Sequence, residues 1–249
     1  MKENKANGNV KERIIETAAR FFSEKGHDGA KMNEIAQAAG VNKALIYYYF
    51  PAKQAILDHI IESFFNDVMN IGMDFINDTM IRMIEAGSLD IYPDRMRFST
   101  GEDAMMFKEK AFEYYERVFE HMMKRRDALR VILSEALRSG EQRDALFRFF
   151  MMAGENNNSN PIFAAVSSAD QDFNLSKEVM FRKFFFSLMP MINFVVFHEE
   201  YKKASGMSDG EMRSSYLRSI ETLYAGYFVG RDIMMELGGG EPNGKDTGD

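Results

Sequence analysis

Residues 41–53, VNKALIYYYFPAK, set three consecutive tyrosines between two lysines. Phenols and ammonium groups in one short run do no covalent chemistry unaided. They suit recognition of a polyanion, with lysines for phosphate charge, hydroxyls for phosphate oxygens and flat rings for apolar surface. Little else in the sequence is reactive. Cysteine is absent, which removes disulfides, thiolate zinc sites and cysteine nucleophiles and fits a reducing compartment. His27, His59, His121 and His198 are scattered, and no HExxH, paired ExxH, phosphate loop or nucleophile motif occurs. FHEEY at 197–201 lacks the second histidine of a zinc motif. No catalytic residue, metal site or cofactor is expected, and the chain reads as a non-enzyme.

The elements that must position those phenols are helices. NVKERIIETAARFFSEKG places Val10, Ile14, Ile15, Ala18, Phe21 and Phe22 on one stripe, with Gly26 as its stop. KMNEIAQAAG is a short helix ended by Gly40, and NKALIYYYF comes next, capped by Asn42 and closed by Pro51. Three short helices with AAGV between the second and third suggest a helix-turn-helix, in which a glycine turn fixes the angle at which the last helix enters a major groove. Winding residues 42–50 at about 100° per residue puts Ile46, Tyr49 and Phe50 on one side and Ala44 and Tyr48 on the other. Leu45 and Tyr47 lie on the flanks. The inward side can pack on Ile35, Ala36, Ala39, Ile14, Ala18 and Phe21. Tyr49 is therefore structural, Tyr48 faces the groove, and Tyr47 can reach a phosphate oxygen. Ala44 lets the helix approach closely, and Lys43 and Lys53 bracket the run as backbone cations. Three core tyrosines are excluded, because one helix cannot bury three successive rings on one side.

With these residues in place, Lys11 to about Leu57 resembles the DNA-binding domain of the TetR (tetracycline repressor) family. RIIETAARFFSEKGHDG, MNEIAQAAGVNKALIYYYFPAKQAIL and the spacing between them carry the likeness. The resemblance covers about a fifth of the chain. It implies a helix-turn-helix over 31–50 and a double-stranded DNA operator as partner. Backbone contacts would come from Lys31, Met32, Asn33, Asn42, Lys43, Tyr47 and Lys53, and base contacts from Ala44, Leu45 and Tyr48, aided by Asn33. Two positions depart from the family pattern. Ala30 stands where a threonine usually caps the helix and touches a phosphate, and losing a cap costs about 1 kcal/mol. Leu45 replaces a small polar residue, which favours apolar readout of thymine methyls.

The rest of the chain reads as all-α, in a larger helical ligand-binding and dimerisation domain. The expected division is a disordered terminus at 1–9, the helix-turn-helix domain at 10–56, the effector and dimer domain at 57–237 and a disordered tail at 238–249. Helical patterns run from Ala52 to about Glu85, with a possible break at Gly72. They resume at roughly 102–124, 127–139 and 141–153, and again at about 176–204 and 209–237. AGSLDIYPDRMRFSTGED (86–103) and GENNNSN (154–160) read as loops, and Pro161 suits a first helical turn. The formal net charge is −7, yet residues 1–60 hold nine Lys/Arg against seven Asp/Glu, leaving 22 against 31 for the remainder. A slightly basic head on an acidic body suits a head that meets a polyanion. The richest apolar run, FFFSLMPMINFVVF, has 14 residues and a central proline, so no membrane span or secretion signal is expected and the address is cytoplasmic.

One head reads few base pairs, so a homodimer is expected. Its interface would use Phe185, Leu188, Met189, Ile192 and Val196 from one late helix, and Leu217, Ile220, Tyr224, Tyr227 and Phe228 from the other. The centre of the chain is rich in methionine and phenylalanine, residues that adapt to a small lipophilic effector. The candidate pocket is Phe65, Met69, Met73, Met106, Phe112, Phe119, Met123 and Phe150, with Glu135 or Glu113 available to a cation. The helix from Ala52 would carry the effect of a ligand to the head. The resulting expectation is a ligand-responsive regulator, a repressor released from a palindromic operator by its effector. The alternatives are an activator or ligand-independent regulator of the same fold, or a helical enzyme or scaffold.

Overall fold

The computed structural model describes residues 2–92, 95–138, 160–174, 181, 184–229 and 235–237. In chain order these form α1 (Lys2–Gly29), α2 (Met32–Ala38), α3 (Lys43–Tyr49), α4 (Lys53–Phe75), a π-helical segment (Ile76–Ile81), α5 (Arg82–Glu85), β1 (Leu89–Ile91), β2 (Met96–Phe98), α6 (Gly101–Lys124) and α7 (Arg126–Arg138). After the intervening chain come α8 (Pro161–Ala169), a second π-helical segment (Phe184–Leu188), α9 (Met189–Val196), α10 (His198–Ser205), α11 (Asp209–Val229) and β3 (Met235–Leu237). Among the described residues the fold is all-α with one small sheet of three short strands in the order β1-β2-β3.

The chain divides into two compact units, the first made of Met1–Asn70, Val118–Met151 and Met189–Tyr201. Ile14, Ala18, Phe22, Ile35, Ile46, Ile56 and Ile60 form its buried interior. Gly26 leaves α1 at φ 72 and ψ 159, a conformation costly for any residue with a Cβ. The stop expected there is thus a sharp kink. Helix α1 packs on α2 and on α7, α2 on α3, and α9 on α7. Ser23 on α1 donates to Asp127 on α7 at 3.3 Å. Arg125 donates to Asp67 at 2.6 Å and to Ser63 at 2.9 Å, tying the start of α7 to α4.

The second unit comprises Ile71–Arg117, Met152–Leu188 and Lys202–Asp249. One cluster gathers Met83, Leu89, Phe98, Ala104 and Phe107 between the hairpin and α6, and another joins Ile76, Val166 and Phe173. β1 and β2 pair antiparallel with Leu89 opposite Phe98, and β3 runs parallel to β2 with Met235 opposite Met96. Tyr115 and Tyr216 share a hydroxyl hydrogen bond of 2.8 Å.

Several expectations need correction. Helicity begins at Lys2, within the nine residues expected to be disordered. The helical run from Lys53 to Glu85 has no break at Gly72 and instead widens into a π turn over Ile76–Ile81. The stretch 86–103 holds a hairpin. Gly87, at φ 70, ends α5 through hydrogen bonds from Gly87 N–H to Ile84 and from Ser88 N–H to Met83, which turns the chain into β1. The long helix expected at 176–204 is, where described, a π turn followed by α9 and α10. The last helix is described as far as Val229, and 235–237, expected within it, are strand. Pro161 does open a helix, with Asn160 accepting from Ile162 N–H. The helix expected at 141–153 and the tail from 238 lie outside the described residues, and the polar loop 154–160 does so up to residue 159.

Candidate nucleic-acid interface

Helix α2 ends at Ala39 in a motif with Gly40 at φ 67, in which Gly40 N–H donates to Gln37 and Val41 N–H to Ala36. Asn42 then starts α3, its Oδ1 accepting from Leu45 N–H at 2.8 Å. The seven-residue helix is anchored by Ile46, which is fully buried, and by Phe50 just beyond it. Burying one such side chain contributes about 1.5–3 kcal/mol, so the anchor fixes which face points outward. Tyr48 is 77% exposed, Tyr47 is 41% exposed, and Ala44 and Lys43 are exposed with them. Tyr49 and Leu45 are half-buried. The Tyr48 and Tyr49 rings meet edge to face at 5.2 Å, while Lys43 Nζ lies 5.9 Å from the Tyr47 ring. The three phenols therefore occupy three environments, as the helical winding requires.

The residues ahead of the turn are placed less uniformly. Lys31 and Asn33 are exposed and Met32 is half-buried. The residue that starts α2 is Lys31, with no side-chain cap, whereas Ala30 is 2% exposed. The cap position thus lies one residue later than expected, and the Ala30 methyl belongs to the core. Lys53 also differs from a simple phosphate cation. It is half-buried, and its ammonium donates to the backbone carbonyls of Asp28 and Ala30 at 3.1 Å each. It holds the turn between α1 and α2 against the first turn of α4, with one N–H left over.

Phe22, not Phe21, fills the core of α1. Phe21 is half-buried under Lys25, whose Nζ stands 4.8 Å from its ring and 2.7 Å from Glu34. That hydrogen bond from Lys25 holds the Glu34 carboxyl below its usual pKa. The i,i+4 spacing of Phe21 and Lys25 was the available signal. Lys11 over Phe50 at 5.7 Å was not foreseen, since the two meet only through the fold. Burial lowers the pKa of His59, with Lys11 adding to the effect. His121 is lowered for the same first reason, with Arg125 and Lys124 adding to it and Asp67 opposing. Its Nε2 is buried with no hydrogen-bond partner, 3.8 Å from Asp67.

The pocket and dimer residues are widely distributed. In the first unit Phe119 is buried against Phe194, Glu135 is buried, and Phe65, Met69 and Met123 are half-buried. In the second, Met73 packs beside the Ile76 cluster, Phe112 is half-buried, and Met106 and Glu113 are exposed. Phe150 lies outside the described residues. Among the dimer residues, Ile192, Val196, Leu217 and Ile220 are already buried within one chain, Leu188 and Met189 are half-buried, and Phe185 is exposed beside Phe181. The side chains of Tyr224, Tyr227 and Phe228 lie outside the described residues. No group of His, Asp or Glu able to hold a metal occurs among the described residues, and no helix among them is long and apolar enough to cross a membrane.

Known proteins share this head. Residues 14–60 match the family described as bacterial regulatory proteins, tetR family. The biofilm operon icaADBC HTH-type negative transcriptional regulator IcaR of Staphylococcus aureus is 38% identical over 64 residues, covering 26% of this chain and 34% of that one. The chain thus spans about a third of the length of the curated relative it matches. SCO3833 of Streptomyces coelicolor A3, a member of the TetR transcriptional regulator family, superposes with a TM-score of 0.45 at 21% identity, over 84% of this chain and 88% of its own. PfmR of Thermus thermophilus gives 0.45 at 18% identity, over 84% and 97%. Residues 14–60 thus carry the signature of the tetR-family domain of bacterial regulatory proteins.

Proposed function

We propose that the chain is a DNA-binding transcriptional regulator, a repressor that leaves a palindromic operator when a small lipophilic effector binds the helical region beyond residue 57. The observation that carries this reading is the outward face of α3, where Ala44, Tyr47 and Tyr48 stand exposed on a helix whose opposite side is locked down by Ile46. Lys31, Asn33 and Lys43 add exposed polar and cationic groups beside it, which suits phosphates flanking a groove. Two heads are needed for a palindrome, so the working form is a homodimer. Phe185, exposed beside Phe181, supports the late helical segment as its interface. Release comes from linkage, because an effector that prefers a head spacing unfit for DNA weakens operator binding by the same factor. A regulator of this kind works in the cytoplasm and needs no catalytic residue.

The test is fluorescence anisotropy of the full chain on its own gene's upstream DNA over a salt series, with Tyr48→Ala alongside. Tight binding that weakens steeply with salt and falls about tenfold or more in the variant supports the reading. If that DNA binds no better than random duplex, and selection from a random pool also enriches no sequence, the reading fails. Raised promoter output on adding the chain would make it an activator instead.

A further inference from the structure

We infer that α3 tells base pairs apart through the 5-methyl groups of thymine, with Ala44 and Tyr48 as the readers. This rests on the regulator reading above and adds the chemistry of discrimination. Base edges in the major groove are distinguished either by paired hydrogen bonds or by apolar contact with the thymine methyl. The paired bonds run from Arg or Lys to guanine, from Asn or Gln to adenine, and from Asp or Glu to cytosine.

Helix α3, KALIYYY, contains no Arg, Asn, Gln, Asp or Glu. The polar side chains that flank it, Asn42 and Lys53, each spend hydrogen-bonding groups on backbone within the head. Asn42 gives its carbonyl oxygen to Leu45 N–H, and the Lys53 ammonium donates to two backbone carbonyls. Lys43 has its ammonium beside the Tyr47 ring, on the flank of the helix. With Tyr47 on the flank beside Lys43, the centre of the outward face holds the Ala44 methyl and the Tyr48 ring, four residues apart and so one above the other. Both are exposed, and the edge-to-face contact with Tyr49 steadies the Tyr48 ring. A methyl and an aromatic ring are good partners for a thymine methyl and poor ones for the donors and acceptors of a G·C pair. The phenol hydroxyl is donor and acceptor at once, and a single such group cannot separate four base pairs.

The experiment uses the full chain to enrich duplexes from a random-sequence pool. The enriched duplex is then remade with each thymine of a half-site changed in turn to deoxyuridine, which removes the methyl alone. Affinity should fall about fourfold at one or two thymines per half-site, the effect of one buried methyl. Tyr48→Ala should lose that sensitivity at its thymine, and Tyr48→Phe should retain it. An enriched duplex in which no half-site thymine is sensitive overturns the inference and leaves the regulator reading intact. So does a sensitivity that survives in Tyr48→Ala and in Ala44→Gly alike. A pool in which no sequence enriches overturns both.

Discussion

Two helices in this chain end on the same glycine motif and lead to different structures. Gly40 closes α2 and Gly87 closes α5, at φ 67 and φ 70, each with the same pair of hydrogen bonds back to the last turn. After Gly40 the chain enters α3, because Asn42 two residues on caps a new helix. After Gly87 it enters β1, where Leu89 finds Phe98 across the hairpin. The glycine stops a helix in both places but does not choose the next element. In the head that choice is local, made by one side chain and one backbone N–H. In the hairpin it is distant, made by pairing with residues five to nine positions later and by packing on Phe107.

The largest effects on this contrast should come from its two anchors. Ile46→Ala and Phe98→Ala each remove a side chain with no exposure and should cost about 2–5 kcal/mol of stability in urea unfolding. Only the first should also abolish operator binding when the protein is assayed folded. Equal loss of binding in both would mean that the hairpin supports the head. Next in size are the glycines. Neither would meet an atom within 4 Å of an added Cβ, so Gly40→Ala and Gly87→Ala isolate the backbone strain, about 1–2 kcal/mol each. Operator affinity should fall for Gly40→Ala alone, through the angle between α2 and α3.

Smaller again is Lys53→Met. If its ammonium is committed to the carbonyls of Asp28 and Ala30, the variant should lower the melting temperature and leave the salt dependence of DNA binding unchanged. A phosphate contact would instead reduce the slope of log K against log salt by about 0.9. The smallest effect concerns acidity. His59 and His121 have depressed pKa values in the folded chain, in each case first through burial. Such groups add stability above the unfolded value, about 6.5, and lose it as the pH falls through the folded values. The melting temperature should therefore drop from pH 7 to pH 5, and less so in His121→Gln.

The same contrast accounts for which features were legible in the sequence. Gly26, Gly40, Asn42 and Pro161 act on the backbone within a few residues, and each does what its type and position imply. The exposure of Tyr48 and burial of Ile46 come from the period of a helix. The hairpin was missed because LDI and MRF are three residues each, too short to establish an alternation. β3 was missed because its parallel pairing with β2 spans well over a hundred residues of chain. Phe21 and Phe22 were confused because adjacent positions on a wide apolar stripe compete for one core site. The pocket and dimer residues were legible only as apolar, and apolarity alone does not separate an interior such as Ile192 from a face such as Phe185.

The packing of α7 on α1 bears on how such a chain can be recombined. A cut after residue 56 or 60 would leave α1 without the helix that covers one of its sides, and Ser23 without Asp127. The head is then not a cassette that can be lifted onto another body by joining at α4. A chimera that keeps this chain's α1 must also carry a matching α7, or its α3 will be mounted on a half-built frame. Exchange between relatives would succeed at the level of the exposed α3 side chains and fail at the level of whole domains.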